Sequence, residues 1–551
     1  MDAARDAMGQ GWPFAACPWN NDGTKEVWRR SRQTRMPGAL SLGLLSLCAN
    51  KEKVTRREGE KHDCCVIRDY ENKFGFSSFD LDAHMVIKSK KPTPARTQQQ
   101  LKNMKKITLG IENLGPITDA SIEIAPLTIV CGSNNSGKTY ISYTIYGLFR
   151  SWYSNIEFNY FDNNAKELSQ TGFCEVDISP IIENQEEILR ALLDKYKKFA
   201  DSLFSAPKGT FPETNIKIKS EIRKPENEEL DVEIDFDELG KVKYSEKGNI
   251  ITFVRLNPEK PLPLERAKSI IDLYAALHVF EDYFPTPFII TAERLGISLF
   301  YKELDSNRNA LVDTLMKLKD DQDSFNPQKI LERAVSRYSL PVKTNIRFAR
   351  ELENLKKEKS FLQNREEKIY TDIEKMLGGE YKVNGENISF KSKSRTNKYH
   401  IPSYLGSSAV RSLSDVYFYL KHKAKEGDLL LIDEPESHLT PLNQIQTARI
   451  IARLVNAGIN VFITTHSDYI IKELNNLIRL NNDFPERSKI IKKYNYKSTD
   501  RLDHNNISAY TAKEGHLEKC QVSHTGIEII SFDEAIDQIN AASDDLLYYT
   551  N

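Results

Sequence analysis

Eight residues, Gly132 to Thr139, read GSNNSGKT. Glycines at both ends of a four-residue gap, followed by Lys and Thr, suit the holding of a polyphosphate. The glycines let the chain wrap closely, so N–H groups along Gly132, Ser133, Asn134, Asn135, Ser136 and Gly137 can converge on a phosphate. Lys138 would reach the outer phosphates as a mobile point charge, and Thr139 would offer its hydroxyl to Mg²⁺. An ordinary polar turn needs no Lys–Thr at its end.

A second stretch, LLLIDEPESHL, carries Asp433 and Glu434 after four apolar residues. A buried strand would deliver both to its C-terminal end, where nucleotides bind in open α/β sheets. Asp433 then suits a magnesium ligand, directly or through water. Glu434 is placed to polarise an attacking water. A third stretch, NVFITTHS, ends a similar strand on His466, 33 residues after Asp433. A neutral imidazole at the same sheet edge can bond a γ-phosphate oxygen or the water.

The elements between these residues must bring them together. From Met104 the pattern predicts a strand, a turn, a second strand and a third, Leu127–Val130, that runs into the glycine-flanked loop. A helix follows from Tyr140. Residues 180–204 read as one amphipathic helix. Three segments beginning at Asn215, Asp231 and Asn249 alternate like antiparallel strands. Residues 264–282 read as helix, 286–304 as strand then helix, and 344–377 as charged and helix-prone. Two buried-type strands, Asp428–Pro435 and Asn460–His466, flank a helix over Leu442–Ala457, with Thr440 as its cap and Pro441 in its first turn. That alternation predicts an α/β fold with parallel strands. Residues 526–540 read as a closing strand and helix.

The chain has 551 residues, 28% charged and 40% apolar, with a formal net charge of −1. Bulk charge gives no argument for nucleic-acid binding and leaves a local patch open. No apolar run reaches the roughly 18 residues of a membrane span. Pro37–Asn50 mimics the apolar part of a secretory signal but starts late for one. Seven cysteines without framework spacing fit a reducing cytoplasm. Residues 1–103 stand apart, with 18 Lys/Arg against 12 Asp/Glu and three of the four tryptophans. They read as a poorly ordered or non-native extension, with Met104 as an alternative start. A basic arm for nucleic acid, or a zinc site at His62, Cys64 and Cys65, are the other readings.

In their order and spacing, GSNNSGKT, SSAVRSL, LLLIDEPESHL and FITTHS resemble the ABC-type ATPase superfamily, in the branch of SMC, RecF and OLD-like ATPases. The resemblance implies an ABC-type P-loop NTPase head with a mixed sheet, flanking helices and a helical/β insert between the phosphate loop and the signature. It implies two heads clasping two ATP molecules head to tail, with Mg²⁺. Ser407 and Ser408 then open the signature helix that faces the other subunit's γ-phosphate, and Ser408–Ala409 stands where the family has a double glycine. Ser437–Thr440 would face the other subunit, and Glu293 and Arg294 are candidates for linking the lobes. The implied division is 104–160 for the N-terminal lobe, 161–285 for the insert and 286–300 for the lobe link. Residues 301–380 would be a helical arm, 381–480 the C-terminal lobe and 481–551 its closing segment.

Among function classes, transport would need a separate membrane partner. No Asp-x-Asp pair follows Glu514, so the metal-dependent nuclease domain of OLD proteins is not expected, nor is nuclease activity from this chain. The leading expectation is a cytoplasmic ATPase of the kind found in bacterial anti-phage systems (Septu-like), which as a homodimer or higher oligomer gates a separately encoded nuclease or toxin. A RecF/SMC-like DNA-maintenance ATPase and a non-catalytic ATP-switched scaffold are the alternatives.

Overall fold

The computed structural model describes residues 87–88 and 107–550, the latter apart from 156–157, 198, 221–230, 236–240, 248, 256–261, 281–282, 302–337, 366–367, 386 and 395–397. The expectations for residues 1–103 lie outside the described residues, except for a two-residue strand, Ile87–Lys88, that pairs with Asp231–Asp235. So do residues 302–337 and 366–367 of the expected arm over 301–380.

The site is carried by a nine-stranded mixed sheet. Its strands in chain order are β1 (Ile107–Leu114), β2 (Ile117–Ile124), β3 (Leu127–Gly132), β4 (Asn215–Ser220), β5 (Pro287–Ile290), β6 (Leu429–Asp433), β7 (Asn460–Thr465), β8 (Ile507–Lys513) and β9 (His516–Lys519). They lie in the order β5-β6-β7-β3-β8-β9-β2-β1-β4. The five from β5 to β8 are parallel. The β8–β9, β2–β1 and β1–β4 pairs are antiparallel. The fold is thus mixed α/β, as the alternation of elements predicts.

Three central strands, β3, β6 and β7, are buried at every residue. Strands covered on both faces read as continuous apolar runs, which is why LLLI and NVFI carry so little polar alternation. Period-two geometry still sorts them. Leu429 and Leu431 enter one core with Val130 and Phe462, while Leu430 and Ile432 enter the other with Ile129 and Ile463. Register fixes the outcome that matters for chemistry. Asp433 pairs with Thr464, and Thr464 with Val130, so the strands end level.

Five helices hold the site against this sheet. They are α1 (Lys138–Ser151), α2 (Arg294–Phe300), α3 (Ser408–Ser412), α4 (Pro441–Asn456) and α5 (Asp468–Asn481). Pro441 lies in the first turn of α4 behind Thr440, whose hydroxyl makes no capping bond. Ser467 does cap α5, accepting from Ile470 N at 3.2 Å.

Elsewhere the structure differs from the sequence reading. The single helix expected over 180–204 is three, Ser179–Glu183, Gln185–Lys197 and Ala200–Leu203. The break falls at Asn184, which ends the first by bonding back to Pro180 O at 3.2 Å. The helix-prone stretch 344–377 forms Leu340–Leu355 and Tyr370–Leu377, with Phe288 packed edge-on to Phe348 of the first at 4.9 Å. Of the three alternating segments, the one at Asn215 joins the main sheet as β4. The other two join a separate antiparallel sheet with Phe173–Asp177 and Lys241–Lys247. The closing segment forms a short strand, Gly526–Ile527, and a helix, Ile530–Thr550. Among the described residues, no helix is long and apolar enough to cross a membrane.

Candidate functional site

The phosphate loop leaves β3 through Gly132 at φ 145° and enters α1 through Gly137 at φ 89°, with Asn135 at φ 63° between them. Both glycines are sterically required. A Cβ on Gly132 would sit 2.5 Å from Ala512 O, and one on Gly137 would sit 2.3 Å from Ile117 Cδ1. No side chain caps α1, so its first N–H groups stay free of an internal acceptor. Lys138 Nζ donates to the carbonyls of Gly132 (3.0 Å) and Ser133 (2.7 Å) and thereby holds the loop closed on itself. Burial pulls its ammonium below the usual lysine range, while Glu434 and Asp433 push the other way.

Asp433 lies at the end of β6, 1% exposed. Its Oδ2 accepts from Thr139 Oγ1 at 3.0 Å, and its Oδ1 accepts from the Thr464 hydroxyl. Burial pushes its carboxyl up to about 6; the Thr464 and Thr139 bonds pull it down, and Glu293 and Glu434 push it up. Glu434, the next residue, has φ 50°. Non-glycine residues rarely adopt that left-handed conformation without being held there. Several contacts hold it. Its N–H donates to Thr464 O (3.1 Å), its carboxylate accepts from Ser437 Oγ (2.9 Å), and its carbonyl accepts from Arg294 Nη2 (2.6 Å).

Arg294 is 2% exposed and spends its guanidinium on this edge. Nη1 donates to Thr291 O (3.1 Å) and Asp433 O (2.8 Å), and Nε donates to Ser412 Oγ (2.8 Å). Ser412 in turn donates to Ser437 O at 3.1 Å. One arginine thus ties the strand end, α3 and the loop after Glu434. Its neighbour Glu293 accepts from Tyr143 OH of α1 at 3.0 Å.

The structure therefore brings together Thr139, Lys138, Asp433 and Glu434, and it places His466 one residue past β7 at the same edge. Ser407 and Ser408 make no hydrogen bond to any of these among the described residues. Ser407 is exposed and caps α3, accepting from Val410 N at 3.3 Å. The residue that sequence reasoning passed over is Glu436. It is 5% exposed, and its Oε1 accepts from Thr465 Oγ1 (2.9 Å) and His466 N (2.7 Å). A carboxylate two residues past an acidic pair was a visible signal, but its partners lie on another strand.

The donor set fits a magnesium–nucleotide complex. A threonine hydroxyl and a buried carboxylate meet at hydrogen-bond distance, both hard oxygen ligands of the kind Mg²⁺ takes alongside phosphates. The hydroxyl of Ser136, inside the loop, is buried without a hydrogen-bond partner among the described residues.

The chain matches the AAA ATPase domain family over residues 104–471 and belongs to it. No curated protein matches it in sequence. Among solved structures, similarity extends to the Smc head domain of Pyrococcus furiosus bound to the C-terminal domain of ScpA, at 13% identity and a TM-score of 0.27, covering 80% of this chain and 100% of that one. The SMC head domain of Thermotoga maritima matches at 12% identity and 0.27, covering 76% and 100%. The recombination mediator RecF matches at 12% identity and 0.27, covering 76% and 99%.

Proposed function

We propose that this chain binds and hydrolyses ATP as an ABC-type head of the SMC/RecF-like kind, two heads closing around two nucleotides. The observation that carries the reading is the 3.0 Å contact between Thr139 Oγ1 and Asp433 Oδ2. It joins the phosphate loop to the end of β6, beside a carboxylate held in a left-handed turn. In this reading Gly132 to Gly137 and Lys138 cradle the phosphates, and Thr139 and Asp433 would hold Mg²⁺, which would supply neutralisation of the phosphate charge when bound. Glu434 orients the attacking water and takes its proton, and His466 faces the γ-phosphate. Ser407 and Ser408, exposed or half-buried at the start of α3, meet the phosphate of the opposite head.

The output of the cycle is the gating of a separately encoded nuclease or toxin in bacterial anti-phage defence, acting in the cytoplasm. The order of the sequence motifs supports the ATPase head, and the gating role rests on the resemblance to anti-phage ATPase subunits. Arg294 supplies a physical route, because it couples the backbone at Glu434 to α3 through Ser412.

The purified full chain tests the proposal. Mg²⁺-dependent release of phosphate from ATP is expected, and Glu434→Gln should abolish release while doubling the particle mass in ATP. A chain that stays monomeric with ATP bound in both forms would sink the two-headed clasp. Loss of the partner's activity in cells carrying Lys138→Ala, but not in cells carrying Lys472→Ala, would support gating; equal activity in both would remove it.

A further inference from the structure

We infer that Glu436 is a positioning residue for His466, fixing which imidazole nitrogen carries the proton and which faces the nucleotide. The inference rests on the ATPase reading for its catalytic consequence, but its geometry stands apart from it.

Glu436 lies three residues past the end of β6, and His466 one residue past the end of β7. Their strands end level, since Asp433 pairs with Thr464. The turn at Glu434 reverses the chain, with Ser437 N bonded to Glu434 O at 3.0 Å, and Glu436 falls back over β7. There Oε1 collects the Thr465 hydroxyl, the His466 N–H and, at 3.3 Å, His466 Nδ1. Oε2 is buried with no hydrogen-bond partner among the described residues. A carboxylate serving only to tie the end of β7 would be placed by the first two donors. The third approach, from the ring, is what a strand tie does not need.

The physical consequence concerns the tautomer. A carboxylate against Nδ1 holds the proton on that nitrogen, as acceptors behind catalytic and metal-bound histidines do. Nε2, across the ring, is left as a hydrogen-bond acceptor on a side chain that is 46% exposed. An acceptor at Nε2 can take a hydrogen bond from a water beside the γ-phosphate and help aim it. The alternative tautomer would point a lone pair at the carboxylate and place an N–H toward the nucleotide. At 3.3 Å the contact is loose, and hydrogen bonds of this kind tighten when the reacting groups arrive.

The test uses the full chain and four variants, E436Q, E436L, H466A and the double variant E436L/H466A. Glu436→Gln keeps an acceptor without its charge; Glu436→Leu removes both. Turnover should fall about 10-fold in the first and about 100-fold in the second, the range seen when a histidine's outer partner is lost, with KM for ATP within about threefold. Against H466A, the added E436L change should cost less than about twofold, since Glu436 then has no ring to position. Thermal midpoints identify any variant that fails to fold, and the tautomer is read without any variant at position 436. Long-range proton–nitrogen correlation on ¹⁵N-histidine protein, with His466 assigned by its absence in H466A, should show Nδ1–H. An Nε2–H signal, or a double variant about tenfold worse than H466A, overturns the inference. Absence of turnover in the unaltered chain would instead remove the ATPase reading, and the tautomer measurement would still decide the role of Glu436.

Discussion

Arg294 donates to the carbonyl oxygens of two consecutive residues, Asp433 at 2.8 Å and Glu434 at 2.6 Å. The two carbonyls diverge in an ordinary strand, where successive peptides point to opposite sides. They can be served by one planar guanidinium because Glu434 turns left-handed at φ 50°. The fork and the turn therefore require each other.

Arg294→Lys should separate charge from shape. A lysine keeps the positive charge but cannot span two carbonyls and Ser412 together. The buried site would lose about 3–5 kcal/mol, the usual scale for breaking a buried charged network. We expect a lower thermal midpoint and ATP turnover reduced far more than nucleotide binding. Equal turnover in the lysine variant would show that the fork does not hold Glu434 in place.

Glu434 itself sets stability against chemistry. A left-handed conformation at a non-glycine residue costs about 1–3 kcal/mol unless the surroundings compensate. Glu434→Gly should thus be more stable than Glu434→Ala by about 1 kcal/mol, even though glycine usually destabilises. Both should lose turnover by about 10²–10⁴-fold, the typical contribution of a positioned acid–base group. Denaturant midpoints for the two variants check the sign, and phosphate release checks the rest.

Much of this site was legible in the sequence. GSNNSGKT names its own geometry, because glycine at φ 145° and 89° and a Lys–Thr pair at a helix start have few other uses. LLLID and NVFITT announce buried parallel strands by lacking alternation. What sequence could not give was the partner of each polar residue. Arg294 reads in sequence only as a candidate lobe link, and its partners, Ser412 and two carbonyls, appear once the chain is folded around it. Glu436 looks like loop polarity until β7 arrives. The helix breaks within 180–204 were hidden for a different reason, since local apolar period continues through Asn184 while the chain turns. Ser407 shows the limit most sharply: within one chain it is a helix cap, and its proposed phosphate lies in another.

Gly137 offers a steric test of the loop. Its φ of 89° disfavours any side chain, and a Cβ would meet Ile117 Cδ1 at 2.3 Å. Gly137→Ala should displace the start of α1 and with it Lys138 and Thr139. ATP binding should weaken at least about tenfold, a loss of about 1.4 kcal/mol, while Gly209→Ala, equally strained at φ 82° but on an exposed loop with open space around it, should leave binding unchanged. A fluorescent ATP analogue titrated into each variant reads the difference.

Asp415 is one of the buried carboxyls, with Asp433 and Asp428, through which the fold imposes a pH dependence. It follows α3, 4% exposed, and its Oδ2 has no hydrogen-bond partner among the described residues. Burial pushes its carboxyl up to about 7, with the Arg294 guanidinium pulling the other way. The unfolded chain gives up this proton near the ordinary aspartate value, about 3.9. Between those values the folded state holds a proton that the unfolded state has lost. Stability therefore falls as pH rises from about 4 to about 7, and is flat outside that window for this group. Three units correspond to about 4 kcal/mol as an upper bound. Asp415→Asn removes the titration while keeping the shape. Its thermal midpoint relative to the unaltered chain should therefore be higher at pH 8 than at pH 5, and the same difference at both pH values would mean that Asp415 is already ionised and stabilised by Arg294 in the folded protein.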